Sequence, residues 1–165
     1  MAEKEPIEKA RRDAREGKAP STQAGEFVRE EIEHVRKGKH GVRSTKQAIA
    51  IGLSKARRAG VALRPPKKGK TSEKTRRSAE RAYEKGQAHE PVSPTRSRAR
   101  EKALQREPHD AASSAALSRQ ARSAAGRRTA SERSVAARKA ARTKGPRGRS
   151  EAALKAARTR SAGVP

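Results

Sequence analysis

The sequence predicts a mainly α protein. A small helical hairpin is followed by an Ala/Arg-rich, partly disordered tail of short helices, and no β-sheet is expected. Three observations predict this. Between Phe27 and Leu63 the apolar residues recur at helical spacing and are bracketed by capping residues. Large apolar side chains are scarce: 165 residues include one Phe, one Tyr, one Met and no Trp. Ala therefore supplies much of the apolar fraction, and it buries little area against the entropy of ordering the chain. The net charge is +25, from 43 Lys and Arg against 18 Asp and Glu. High charge with few large apolar groups marks chains that stay disordered or order on a partner.

The elements follow in chain order. Residues 1–20 mix charges and end in Gly17 and Pro20, which reads as a frayed or disordered charged arm. Residues 21–63 form the hairpin module. Its first helix is expected over 22–37, with Thr22 as cap, Glu26, Glu30 and Glu31 early, Val28, Ile32 and Val35 on one face, and Gly38 as the left-handed stop. Ser44 and Gln47 match a capping box that opens the second helix, about 45–59, and Gly60 ends it. Ile49, Ile51 and Leu53 also alternate as a strand would, and Gly52 weakens a helix by about 1 kcal/mol relative to Ala, but the caps and the basic last turn favour helix. Residues 64–94 read as a linker punctuated by Pro and Gly, with a short charged helix near 72–85. Residues 95–165 are a basic low-complexity tail. Pro108, Gly126 and Gly145-Pro146 divide it into pieces of about 95–106, 110–125, 130–143 and 149–161. A two-helix unit of about 40 residues is marginal alone, so another helix docking on it, or a homodimer through the hairpin, is expected.

The charge is uneven. Residues 1–63 carry 15 basic and 9 acidic side chains, and residues 64–165 carry 28 and 9. From Ala111 onward Glu132 and Glu151 are the only acids. Such a chain binds polyanions by releasing their condensed counterions. Cysteine is absent, which excludes disulfides and Cys-based metal sites. Met1–Arg15 lacks the apolar segment of a secretory signal, and no apolar run approaches a membrane span, so a cytoplasmic, nucleoid-associated location is expected.

The candidate nucleic-acid contacts are Lys46, Lys55, Arg57 and Arg58 in the hairpin, and Arg138, Lys139, Arg142, Lys155 and Arg158 in the tail. The second hairpin helix could present its four cations in the manner of a helix-turn-helix reader, although a plain hairpin with solvated charges is the simpler reading. Phe27 and Tyr83 are the only aromatics, so base stacking is not available as the main binding mode. Double-stranded DNA, contacted along its phosphates without sequence readout, is the expected partner. Gly38-Lys39-His40-Gly41 lacks the spacing of a P-loop, and helix capping is its plainer role. His34, His40, His89 and His109 are scattered; the spacing of His34 and His40 is no metal signature without further ligands. Glu30, Glu31 and Glu33 read as helix-dipole and ion-pair residues. No catalytic residue, cofactor, metal or small-molecule substrate is expected, and the protein is expected to be no enzyme. Two alternatives stand beside the DNA reading: an RNA- or ribosome-associated basic protein, and a protein-docking hairpin steered by its polycationic tail.

The stretch from Gly25-Glu26-Phe27-Val28 through Gly38-Lys39-His40-Gly41 to Ser44-Thr45-Lys46-Gln47-Ala48-Ile49-Ala50-Ile51 resembles a family of small basic bacterial proteins of unknown function, often labelled DNA-binding. The resemblance covers about residues 25–63. It implies a bacterial, DNA-associated role and assigns no activity and no site residues. The tail is similar in composition to linker-histone-like bacterial proteins. Together these point to a non-enzymatic, histone-like DNA-binding protein.

Overall fold

The computed structural model describes residues 4–161. Among them are seven α-helices and no strand: α1 (Lys4–Arg15), α2 (Pro20–Arg36), α3 (Thr45–Arg58), α4 (Glu73–Gln87), α5 (Pro94–Gln105), α6 (Ser114–Gly126) and α7 (Ala130–Ser161). A 3-10 turn, Asp110–Ala112, precedes α6. The chain divides into two compact units, Met1–Gln120 and Ala121–Pro165.

The first unit is built on the α2–α3 hairpin. Both helices stop where the glycines require. Gly38 (φ 70°) and Gly60 (φ 89°) adopt left-handed backbone. Behind each, two backbone bonds close a Schellman motif: Lys39 N to His34 O (2.9 Å) and Gly38 N to Val35 O (3.1 Å), then Val61 N to Ala56 O (3.1 Å) and Gly60 N to Arg57 O (3.1 Å). Ser44 caps α3 by accepting from Gln47 N at 3.2 Å. Gln47 Oε1 reaches back to accept from Arg43 N at 2.9 Å, one residue before the cap. The strand alternative at Ile49–Leu53 is not realised. Helix α2 begins at Pro20 rather than at residue 22, capped at Ala19 without a side-chain bond. Proline at the first helical position has no N–H to leave unsatisfied, and the next donors, Thr22 N (2.8 Å) and Gln23 N (3.2 Å), bond the Ala19 carbonyl instead of a side chain.

Two apolar clusters fill the hairpin. Ala10, Ala24, Phe27, Ala56 and Val61 form one, and Val35, Val42, Ala48, Leu104 and Ala112 the other. Their membership explains how so few large side chains make a core. Ala10 comes from α1, which packs along α2, so the segment expected as a frayed arm is a docked helix. Leu104 lies in the last turn of α5, and Ala112 lies in the 3-10 turn. Both are brought to the Gly38–Ser44 loop by backbone bonds from Gly41 N to Leu104 O (2.9 Å) and Val42 N to Pro108 O (2.8 Å). Helix α4, read from sequence as part of a linker, docks on α3 through Ala79, Ala82 and Gly86. Intrachain docking thus supplies what the two-helix unit lacks.

The crossing of α2 and α3 is unusually close. A Cβ on Gly52 would lie 2.6 Å from Val28 Cα and 2.9 Å from Phe27 O. Glycine here lets two backbones touch, which offsets its poor helix propensity.

The expectation of a partly disordered tail is overturned. Helices α5, α6 and α7 cover most of residues 94–161. The composition argument weighed the lack of core-forming side chains, but a helix made of Ala, Arg, Lys and Leu needs no core to have a favourable local propensity. The ends are also specified. Ser93 accepts from Arg96 N, and Ser113 from Ala116 N. Thr129 and Glu132 form a reciprocal capping box, with Glu132 N donating to Thr129 Oγ1 (3.1 Å) and Thr129 N to Glu132 Oε2 (2.8 Å). The breaks at Pro108, Gly126 and Gly145 fall between or within elements as the sequence indicates.

Candidate nucleic-acid interface

The second unit, Ala121–Pro165, carries 13 basic residues and 2 acidic ones, a net +11 in 45 residues. The first unit carries +14 in 120. Helix α7 buries no residue. Its larger apolar side chains, Val135 (56% exposed) and Leu154 (61%), face solvent. A helix polar on all sides carries no core-facing stripe, and its surface is available to a partner. Arg138, Lys139, Arg142, Lys155 and Arg158 are all exposed on it. Among the described residues, none of the five joins an ion pair. Arg138 and Arg142 are one turn apart and repel each other, a cost that an anion relieves.

Gly145 interrupts α7 with φ 67° and ψ 176°, and Pro146 follows it. That backbone region is closed to side-chain-bearing residues. The break opens a notch lined by Arg138, Ala141, Arg142, Gly145, Pro146 and Arg149. Arg149 belongs beside Arg138 and Arg142, and the sequence reading missed it. The signal was present in Gly145-Pro146, which marks a break but not the direction in which the flanking helices turn.

The hairpin cations divide. Lys46 is exposed in the first turn of α3, and Arg58 is half-buried near its end. Arg57 is buried (7% exposed), with Nε donating to Leu63 O at 3.0 Å and a second nitrogen to Leu53 O at 3.5 Å. Burial pulls its guanidinium below the usual arginine value, and it stays charged at neutral pH. Arg57 holds the residues after α3 in place and has no reach to a phosphate. Lys55 is also withdrawn. Its Nζ lies 2.7 Å from Glu31 Oε2 and 3.8 Å from Glu30 Oε2. Both were expected on the binding face because their spacing fits it, but the contacts of α2 and of the segment after α3 claim them first.

A second constellation, unexpected from sequence, lies inside the first unit. The Glu31 carboxylate is fully buried. His40 Nε2 stands 3.3 Å from Glu31 Oε1. His34 sits beside them, its ring perpendicular to that of His40 with centroids 6.0 Å apart. One ligand-type atom from each of Glu31, His34 and His40 lies within 4.8 Å of the other two. Glu31 and His34 share a face of α2 at i, i+3. The left-handed stop at Gly38 turns the chain so that His40 returns to that face. The sequence shows the Glu31–His34 pair, whereas the return of His40 depends on the loop path.

The fold and these surfaces define an all-helical basic protein with a packed hairpin unit and a cationic helical unit. The model of a family of unknown function, DUF6496, matches residues 3–68, that is α1, α2, α3 and the segment that follows them. No curated protein matches the chain, and no solved structure does. Among the described residues no helix is long and apolar enough to cross a membrane.

Proposed function

We propose that this is a non-enzymatic, nucleoid-associated DNA-binding protein of histone-like character. The second unit contacts duplex phosphates, and Lys46 and Arg58 add secondary contacts. The observation that carries this reading is the set of exposed cations on α7, of which Arg138, Lys139, Arg142, Lys155 and Arg158 join no ion pair among the described residues, while Arg138, Arg142 and Arg149 converge on the Gly145 notch. Phosphate contacts of this kind hold a duplex without reading its sequence. Lys55 and Arg57 are left out of the interface.

The test is affinity for a random-sequence duplex of fixed length across a range of salt. Arg138, Lys139, Arg142, Arg149, Lys155 and Arg158 neutralising about six phosphates give a log–log slope of about −5, and a loss of about a thousandfold between roughly 50 and 200 mM salt. Changing Arg138, Arg142 and Arg149 together to Gln flattens the slope by about 3. Gly145→Ala leaves the charge unchanged but forbids the backbone that opens the notch, so affinity falls a few-fold. A slope indifferent to the triple change would refute the assignment of the second unit. Structured RNA outcompeting the duplex at equal length would transfer the reading to RNA.

A further inference from the structure

We propose that Glu31, His34 and His40 bind a divalent first-row transition cation, Zn2+ in particular. Two imidazoles and one carboxylate suit such an ion in both charge and donor type.

The argument begins with hydrogen bonding. His40 Nδ1 lies 3.2 Å from Gly41 O. A carbonyl oxygen only accepts, so that bond requires the proton on Nδ1. In the neutral ring, Nε2 then carries a lone pair. It is aimed at Glu31 Oε1, 3.3 Å away, which is also an acceptor. Two acceptors facing each other in a buried place repel unless a proton or a metal ion stands between them, and the Lys55 ammonium lies at the other Glu31 oxygen. Neither Glu31 oxygen meets a donor in hydrogen-bond geometry, although Lys55 Nζ is close enough to Oε2 for an ion pair. Lys55 therefore holds one oxygen and leaves the other for a ligand.

The remaining features are those of a built site. The backbone bond to Gly41 fixes the ring of His40, as outer partners of metal-bound histidines do. Around a tetrahedral Zn2+ with bonds of about 2.1 Å, ligand atoms stand about 3.4 Å apart. The three atoms here lie within 4.8 Å of one another, so small side-chain rotations close the set. His34 also lines a surface cleft with Glu5, Glu33, Lys37 and Lys39, whose wall includes neither Glu31 nor His40, so an ion would reach the set past His34. Three protein ligands leave a fourth position to water. A bound ion would tie the Gly38–Ser44 loop to α2 at the point where Leu104 and Ala112 pack, and so would stabilise the whole first unit.

The experiment is calorimetric titration of the chelator-stripped full chain with Zn2+, together with the visible spectrum of the Co2+ form. One ion per chain is expected, with Co2+ bands of a four-coordinate site carrying nitrogen ligands. His34→Gln and His40→Gln each weaken Zn2+ affinity by about a hundredfold, whereas His89→Gln leaves it unchanged. If one variant fails to fold, the other variant and the Co2+ spectrum of the unaltered chain decide. No uptake of Zn2+, an octahedral Co2+ spectrum typical of the aquo ion, or binding indifferent to both histidine changes would overturn the proposal.

Discussion

Gly52→Ala puts helix propensity and tertiary packing in direct opposition. Propensity alone favours Ala by about 1 kcal/mol in a helix interior. The new methyl, however, meets backbone: 2.6 Å to Val28 Cα, 2.9 Å to Phe27 O and 2.9 Å to Val28 N. Ordinary contact begins near 3.4 Å, so α2 and α3 must separate by most of an ångström. The crossing is flanked by Ala24, Phe27 and Ala56, all fully buried, and these lose contact as the helices part. Overpacking of this kind costs about 1–3 kcal/mol, and rigid backbone on both sides places it at the upper end. The net expectation is a destabilisation of about 2 kcal/mol, a fall in Tm of roughly 8 °C for a unit of this size. Gly25→Ala is the control. Gly25 lies in α2 with nothing near its would-be Cβ, so the same substitution there stabilises by about 0.5–1 kcal/mol. Tyr83 is the only tyrosine and sits in α4, so its fluorescence follows the first unit without the signal of α7. If Gly52→Ala stabilised as Gly25→Ala does, the close helix crossing would be wrong.

Three further outcomes are expected. Arg57→Ala should destabilise the first unit by about 1–3 kcal/mol, because Leu63 O loses its donor, while the salt slope of DNA binding stays unchanged. Ser44→Ala should cost about 1 kcal/mol through the lost cap of α3, read by urea denaturation. Hydrogen bonds from Arg76, then its charge and a bond from Arg77, hold the Glu73 carboxyl below its ordinary value of 4.5. Its support of α4 is therefore present above pH 4.5 and fades as pH falls through the lowered value. Arg76→Gln should return the NMR titration of that carboxyl toward the ordinary value; an unmoved titration would refute the pairing.

Much of the local structure was legible because its causes are local. Gly38, Ser44 with Gln47, Gly60, Gly126 and Gly145-Pro146 act within a few residues, and the helix ends fall at or near them. The tail went astray for a related reason. Its lack of core formers points to disorder, whereas Thr129 and Glu132 specify a helix start locally. The candidate contacts on α7 are exposed because nothing in the second unit covers them. On α3, Lys46 is exposed, whereas Lys55 and Arg57 are withdrawn, because exposure there depends on what α2 and the segment after α3 bring.

The sequence by itself therefore determined the all-helical class, most helix boundaries and the location of the surplus positive charge. These depend on propensity, capping and composition, which act at short range. Only the tertiary structure decided that α1, α4 and Leu104 complete the core, that Gly52 is a contact point, that Lys55 and Arg57 are structural, and that His40 returns to Glu31 and His34. Each of these joins residues whose separation along the chain carries no information about their separation in space. Which partner reaches a given side chain is settled by the packing of helices that propensity forms but does not place.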